Sequence, residues 1–559
     1  MIKNYSKTAI TFCLMLLFII QEGTAQEIGR DELIEDVRQL ADILETAHPD
    51  PYINGGGKVA FHRRLQVILG SIPGSGMTSS EFYRLLSPFV ASIEDGHTNL
   101  QSSYSIDYSE PGGIPLYFSI IERSLYVAAV PEEKYRALIG AVLTTVEGLL
   151  FDKIFQRMDA LKGTENEYTV LGYLSGTNYL WCRQYLEELI PEWKDKSKIT
   201  VGLRLPSGKE ENYTFDLPIK YTNTFIGAGS KIDLPTTGKC DFVYCFMDSS
   251  KQTAYLRIDD MSGYREAFEF WGVENRLDQA KNIYMRYNGK PAPANSSQIL
   301  EGLPSVTKTF KSLVIDMAEE KSNTLIVDLR FNSGGNSIMT QILIYFLYGK
   351  ETVLAVGSEV SEVSKYSDLY FNYFSNADLN NINANSMVPF NLAEDDYDFK
   401  YDYIEDPQKR DKYDIPELYR SIYQRMPAFY TEYESGDYSG YYCPETIVVL
   451  CSPQTFSSAY TLMYYLYRRG AIIVGTPSGQ AGNYFGDILW FKLNHSGIQG
   501  YVSYKQFISF PDNPEMGRVL RPHFEITYEK LALYNFDPNK EVIYTLDLLQ
   551  RGEIREKLR

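Results

Sequence analysis

The segment Thr446–Ser458, TIVVLCSPQTFSS, constrains the fold more than any other stretch of the chain. Its β-branched, apolar run from Thr446 to Leu450 predicts a buried strand. A short loop follows, and Ser457-Ser458-Ala459 opens a helical stretch, AYTLMYYLYRR. A serine at a strand–loop–helix junction exposes its hydroxyl where helix N–H groups favour negative charge. A nucleophile needs that setting when its oxyanion must be stabilised. Taken alone, the position is more often that of an N-cap serine, which only holds the first turn. The rest of the chain decides between the two.

A second strand ends upstream in a glycine turn. NTLIVDLRFNSGGNS runs a buried strand into Gly334-Gly335, and SIMTQILIYFLYG is the helix after it. Paired glycines there let the backbone come close to a ligand with its N–H groups turned outward. They also serve a plain tight turn. AYLRI (Ala254–Ile258), TVLAVG (352–357) and AIIVG (471–475) read as further strands. Strands alternating with helices predict an α/β core with substantial parallel pairing from about Asp241 onward. The alternation stops between Ser358 and Tyr442, where Tyr, Asp and Asn dominate. A structureless loop of that length is rare inside a compact domain, so an inserted subdomain or lid is expected. Its aromatic residues would line a substrate groove or build a small core of their own.

Ahead of the core, Arg30 to Leu100 follows a helical pattern. DELIEDVRQLADILETAHPDPY stops at a proline, and Thr78-Ser79-Ser80-Glu81 has the form of a capped helix start. That helix ends at the polar turn EDGHT, which carries His97. From Gly112 to Pro218, LYFSII and LYVAAV read as strands. IGAVLTTVEGLLFDKIFQRM then reads as strand, Glu147-Gly148 turn and helix, which resembles a PDZ-like module. The expected division is a leader over 1–25, an N-terminal helical domain over 26–110, a PDZ-like β-rich module over 111–235, and the α/β core over 236–559. The core carries the Tyr-rich insertion at about 358–442.

The leader has Lys3 and Lys7 before an apolar run from Ala9 to Ile20, with Gly23-Thr24-Ala25 at a cleavage site. These are the parts of a secretory signal peptide, so an exported chain starting at Gln26 is expected, periplasmic or secreted, with no stable membrane anchor. Cleavage removes Cys13 and leaves Cys182, Cys240, Cys245, Cys443 and Cys451. That odd, sparse set implies no disulfide framework, and pairing of Cys240 with Cys245 stays open. Acidic residues outnumber basic ones, 72 to 54, for a net charge of −18. Such a surface argues against nucleic acid and anionic membrane as partners.

A strand ending in DLRxNxGG, followed by a strand leading to TxSxA and then by xxVG, resembles the C-terminal processing peptidase and tricorn-core family of serine peptidases. The resemblance implies a crotonase/ClpP-like α/β spiral as the catalytic core. The family's T-a-S-a-a-E stretch aligns with Thr455-Phe456-Ser457-Ser458-Ala459-Tyr460, which makes Ser457 the nucleophile and puts Tyr460 where the glutamate stands. Many members use a lysine about 25 residues after the serine. Here Gly475-Thr476-Pro477-Ser478-Gly479-Gln480 has none, and Gln480 stands near that place. The tricorn-like branch takes its base from an upstream histidine, and Gly96-His97-Thr98 matches.

Of the five histidines, His48 before a proline, His62 in a basic run and His495 in a turn read as structural or surface residues. His523 is a weaker candidate base. That leaves His97, whose side chain is the natural base for a serine hydroxyl. A third group should orient it. The resemblance points to Glu515 in PEMGRVLRP, with Asp95 as a rival by proximity. The oxyanion donors implied are the N–H of Ser458 and that of Gly334 or Gly335. The expected function is an exported serine peptidase acting on polypeptides by a Ser–His acyl-enzyme mechanism, with C-terminal processing as one task. No metal or organic cofactor is implied. The alternative is a non-catalytic ligand- or peptide-binding protein on the same scaffold, since one fold hosts many functions.

Overall fold

A computed structural model describes residues 27–101, 112–217, 225–356, 359–374, 397–400, 415–435 and 442–558. The expected leader lies outside the described residues. The central sheet has six strands in the order Phe524–Glu525, Ile472–Gly475, Thr446–Cys451, Thr324–Asp328, Thr253–Ile258, Phe242–Phe246. All neighbours pair in parallel except the last two, which are antiparallel. Every residue of Thr324–Asp328 and of Thr446–Cys451 is buried, as expected of strands covered on both faces. Alternate residues explain how. Leu325, Val327, Ile447 and Val449 face a core shared with the helices Val306–Glu320, Ile338–Tyr348 and Ser458–Arg468. Ile326, Val448 and Leu450 face the opposite core, which includes Val542 and Leu548 of the helix Lys540–Arg551.

The two central strands run in register, Thr324 beside Thr446 and Asp328 beside Leu450. Their carboxyl ends therefore deliver the Gly334-Gly335 turn and the Ser457 loop to the same edge, where α/β sheets place ligands. A buried charge cluster pins this edge. Arg330 pairs with Asp328 at 2.7 Å and Glu541 at 2.6 Å, and the Tyr255 hydroxyl donates to Asp328 at 2.6 Å.

A second sheet is built on the long hairpin Asn483–Lys492 and Gln499–Ile508, joined by Asn99–Leu100, Ser361–Lys365 and Tyr397–Lys400. Asn99 pairs with Tyr501, which ties the His97 turn to the hairpin. The helices Arg30–Ala47, Gly57–Ser71 and Ser79–Ala91 pack on it through a core completed by Leu489, Phe491 and Val502. Thr78 caps its helix with a reciprocal Glu81 contact, as the sequence predicts. A third sheet holds the antiparallel strands between Tyr117 and Gly227, with Glu147 and Gly148 both at positive φ in the expected turn.

The structure departs from the sequence reading in two places here. The described part of TVLAVG, Thr352–Val356, is not a strand but most of the helix Lys350–Val356, which buries Val353 and Val356 one turn apart. Tertiary packing overrides the β-branched preference. Within the interruption, Ser361–Lys365 joins the second sheet. Tyr419, Tyr423, Phe429 and Tyr433 of the helices Ile415–Tyr423 and Pro427–Ser435 are buried in the main core against Tyr345. No described helix is long and apolar enough to cross a membrane. Cys182, Cys240, Cys245, Cys443 and Cys451 are free thiols.

Candidate active site

Ser457 sits at φ 53°, ψ −126°, between the strand Thr446–Cys451 and the helix Ser458–Arg468. A non-glycine residue there costs on the order of 1–3 kcal/mol and persists only where its surroundings hold it. In α/β-hydrolase folds a strained strand-to-helix turn lifts a serine clear of the sheet edge. The holding contacts are visible. Phe456 N–H donates to Asn332 O at 3.1 Å, and Thr455 Oγ1 donates to Leu329 O at 2.9 Å. Ser457 N–H donates to Gln480 Oε1 at 2.6 Å, and Ser457 O accepts from Thr461 N–H at 3.0 Å.

Gly334 packs directly on this turn. A Cβ there would lie 2.7 Å from Ser457 Cβ and 2.9 Å from Ser458 N, and its φ of 102° also calls for glycine. Its N–H is already donated to Asn332 Oδ1 at 2.8 Å. The N–H groups of Gly335 and Ser458 have no acceptor among the described residues. Gly335, Ser457 and Ser458 line one cavity of about 680 Å³, so the pair available to an oxyanion is Gly335 with Ser458. Ser458 Oγ donates to Gly335 O at 2.8 Å and fixes the two donors relative to each other.

His97 lines the same cavity, and among the five histidines it alone does. Asp95 holds its backbone rather than its ring. Asp95 Oδ1 accepts His97 N–H at 2.8 Å, while Oδ2 contacts Thr98 Oγ1, Ser503 Oγ and His48 Nε2. Burial works to raise the Asp95 carboxyl, but His48, His97 and Thr98 hold it down to about 2. The partner of the imidazole is Glu165, with His97 Nδ1 at 3.2 Å from Oε1. Glu165 Oε2 accepts Ala481 N–H at 2.8 Å. Burial pulls the imidazole toward the neutral form, yet Glu165, Asp95 and Asp487 together raise it above its ordinary value. Burial likewise raises the Glu165 carboxyl, against the opposing pull of His97. Phe456 stacks on the imidazole at 5.0 Å between centroids, and Tyr484 lies 6.1 Å away.

Glu515 takes no part in this arrangement. It lies exposed on the short helix Pro514–Arg518, and the Nδ1 position it was expected to fill belongs to Glu165. Nothing in sequence spacing marks Glu165, which stands 68 residues from His97 in a polar stretch ahead of an Asn166-capped helix. His48 is buried on Asp95, His62 pairs with Glu45, His495 with Glu35, and His523 Nδ1 accepts from Ile473 N–H. Lys505 lines the cavity, but Asp487 at 2.8 Å and Glu362 at 3.0 Å outweigh its burial and raise its pKa well above normal, so it stays charged. Tyr460, in the glutamate position of the resemblance, is buried at the cavity wall.

Asp95, His97 and Glu165 bring donor atoms within 4.8 Å of one another. Both Asp95 oxygens and both Glu165 oxygens also accept or share hydrogen bonds with protein groups.

Residues 252–486 match Peptidase family S41. The fold is similar to mature CPAF, at 14% identity over 94% of this chain and 98% of that one, TM-score 0.53. It is likewise similar to mature CPAF complexed with lactacystin, at 15% identity, 94% and 99% coverage and TM-score 0.53. The photosystem II D1 C-terminal processing protease aligns at 12% identity over 89% and 94% of the two chains, TM-score 0.37. No curated protein matches.

Proposed function

We propose that the chain, whose residues 252–486 match Peptidase family S41, is a serine peptidase that cleaves peptide bonds by acyl transfer through Ser457. The observation that carries this reading is the strained Ser457 turn opening into the cavity that His97 also lines. In the proposed mechanism Ser457 Oγ attacks the scissile carbonyl carbon while His97 Nε2 takes its proton. His97 Nδ1–H donates to Glu165, which fixes the tautomer and stabilises the imidazolium. The carbonyl oxygen, now an oxyanion, is received by the Gly335 and Ser458 N–H groups. The imidazolium then protonates the leaving amine, and water, activated by the same histidine, releases the acyl group.

The finer parts of the reading are proposals of the same kind. The parallel sheet with its carboxyl-edge site fits a crotonase-like core. The strands between Tyr117 and Gly227 with the helix Phe151–Leu161 fit a PDZ-like module that would present a polypeptide terminus. Processing of C-termini is the task such a module suits. The basic, apolar and small-residue order of 1–25 supports export, and mass spectrometry of protein from its native host should find Gln26 as the first residue.

Labelling with a fluorophosphonate tests the central claim. Modification mapped to Ser457, lost in Ser457→Ala, supports it. Folded protein that stays unlabelled would instead support a non-catalytic binding protein.

A further inference from the structure

Gln480 is fully buried beside the nucleophile, and catalysis as derived above gives it no task. Its Oε1 accepts the N–H of Ser457 at 2.6 Å. Its Nε2 is buried without a hydrogen-bond partner among the described residues. A buried unmade donor is unusual and calls for a reason. An apolar side chain of that size would avoid it, so the oxygen must be worth the orphaned nitrogen.

The backbone around Gln480 is fixed from several sides. Gln480 N–H donates to Ser478 Oγ at 2.9 Å, and Ser478 Oγ in turn donates to Thr455 O, within the nucleophile loop. Gly479 N–H donates to Pro453 O at 3.2 Å. The next residue, Ala481, donates its N–H to Glu165 Oε2 at 2.8 Å. Adjacent residues of one rigid segment thus hold the nucleophile on one side and the carboxylate behind the base on the other.

We propose that Gln480 is a positioning residue: its side-chain oxygen holds Ser457 in the positive-φ conformation and, through Ala481, in register with the His97–Glu165 pair. The bond also occupies the Ser457 N–H, which leaves the oxyanion to Ser458 and Gly335. Without the oxygen, Ser457 can relax toward ordinary backbone angles and its hydroxyl drifts from attack geometry, where small displacements cost large factors in rate.

This inference rests on Ser457 as nucleophile, and the test separates the two. Gln480→Met keeps the length and removes the acceptor; Gln480→Glu keeps an oxygen at the same reach. Fluorophosphonate labelling and steady-state hydrolysis of one peptide are measured on both and on the native chain, with melting temperatures as a check on folding. The expected result is native labelling at Ser457, a fall of roughly 10–10²-fold in kcat for Gln480→Met with KM changed less than about twofold, and recovery of most of that loss in Gln480→Glu. A Gln480→Met enzyme with native kcat overturns the inference while the nucleophile stands. Equal losses in both variants also overturn it, because the oxygen then has no special part. Absence of labelling in the native chain overturns the nucleophile and the inference together. Should Gln480→Met fail to fold, Gln480→Glu decides: near-native labelling supports the oxygen's role, and loss of labelling in a folded protein refutes it.

Discussion

His97 Nδ1 lies 3.2 Å from Glu165 Oε1, a contact that works against burial to raise the pKa of the imidazole. A general base must be neutral to accept a proton, so rate rises with pH through its pKa. Burial alone would lower the His97 pKa, but Glu165, Asp95 and Asp487 raise it. The acid limb of kcat/KM should therefore fall above the ordinary histidine value of about 6.5, with a plateau on the alkaline side. A pH–rate profile on one peptide substrate checks the position of the limb. A midpoint below that value would mean that burial outweighs the carboxylates.

Removing the charge of Glu165 should move the limb the other way. Glu165→Gln takes away the acceptor and the negative charge while burial remains, so the His97 pKa should drop and the limb should shift to lower pH. The plateau should fall by roughly 10²–10⁴-fold, because the imidazole loses its tautomer control. Glu515→Ala, at an exposed position, should leave both the limb and the plateau in place and change stability by no more than about 0.5 kcal/mol. The paired profiles decide which glutamate stands behind the base.

That contrast also shows what a sequence can reveal. The strands Thr324–Asp328 and Thr446–Cys451 are legible because both faces are buried, which leaves continuous apolar runs. Ser457 and the glycine pair are legible because a strand end, a tight turn and a helix start leave local marks. Glu165 leaves none: it is one acid among many, and only the packing of distant segments brings it to His97. The interruption at 358–442 misleads for a related reason. Its aromatic residues read as a groove lining or a small separate core, yet Phe429 packs on Tyr345 and Tyr423 on Phe429 within the main core. Gln480 reads as a missing base until its contact with Ser457 gives it a place.

The two adjacent serines should behave differently. Ser457→Ala removes the attacking oxygen and should lower kcat by roughly 10⁴–10⁶-fold with the fold intact. Ser458→Ala keeps the backbone N–H and loses the hydroxyl contacts to Gly335 O and Ser337 Oγ, each 2.8 Å long. That should cost about 1 kcal/mol of stability and less than about tenfold in rate. Parallel kinetics and melting curves check both. A deeper kinetic loss in Ser458→Ala would put the nucleophile one residue later.

Arg330 anchors the sheet edge that carries the Gly334-Gly335 turn, and its removal should be costly in a pH-dependent way. Its side chain is 3% exposed, with Asp328 and Glu541 at 0% and 5%. Breaking a buried pair of this kind typically costs about 3–5 kcal/mol, because the charges left behind are neither solvated nor neutralised. Arg330→Met should lose about that much at neutral pH. Burial pushes both carboxyls upward. Arg330, with Tyr255 at Asp328 and Lys540 at Glu541, outweighs it, and both pKa values lie below their ordinary values. Groups with depressed folded-state pKa contribute stability above their unfolded values near 4, and lose it as pH falls through the folded ones. Without Arg330 burial should raise the Asp328 pKa, while Lys540 still holds Glu541 down, so the variant should gain relative stability as the pH drops from neutral and Asp328 takes up a proton. The gap in melting temperature between native chain and Arg330→Met should therefore be widest near pH 7 and narrow toward pH 4. A gap that stays constant across that range would show that the loss comes from packing alone and that the cluster contributes no charge coupling to the fold.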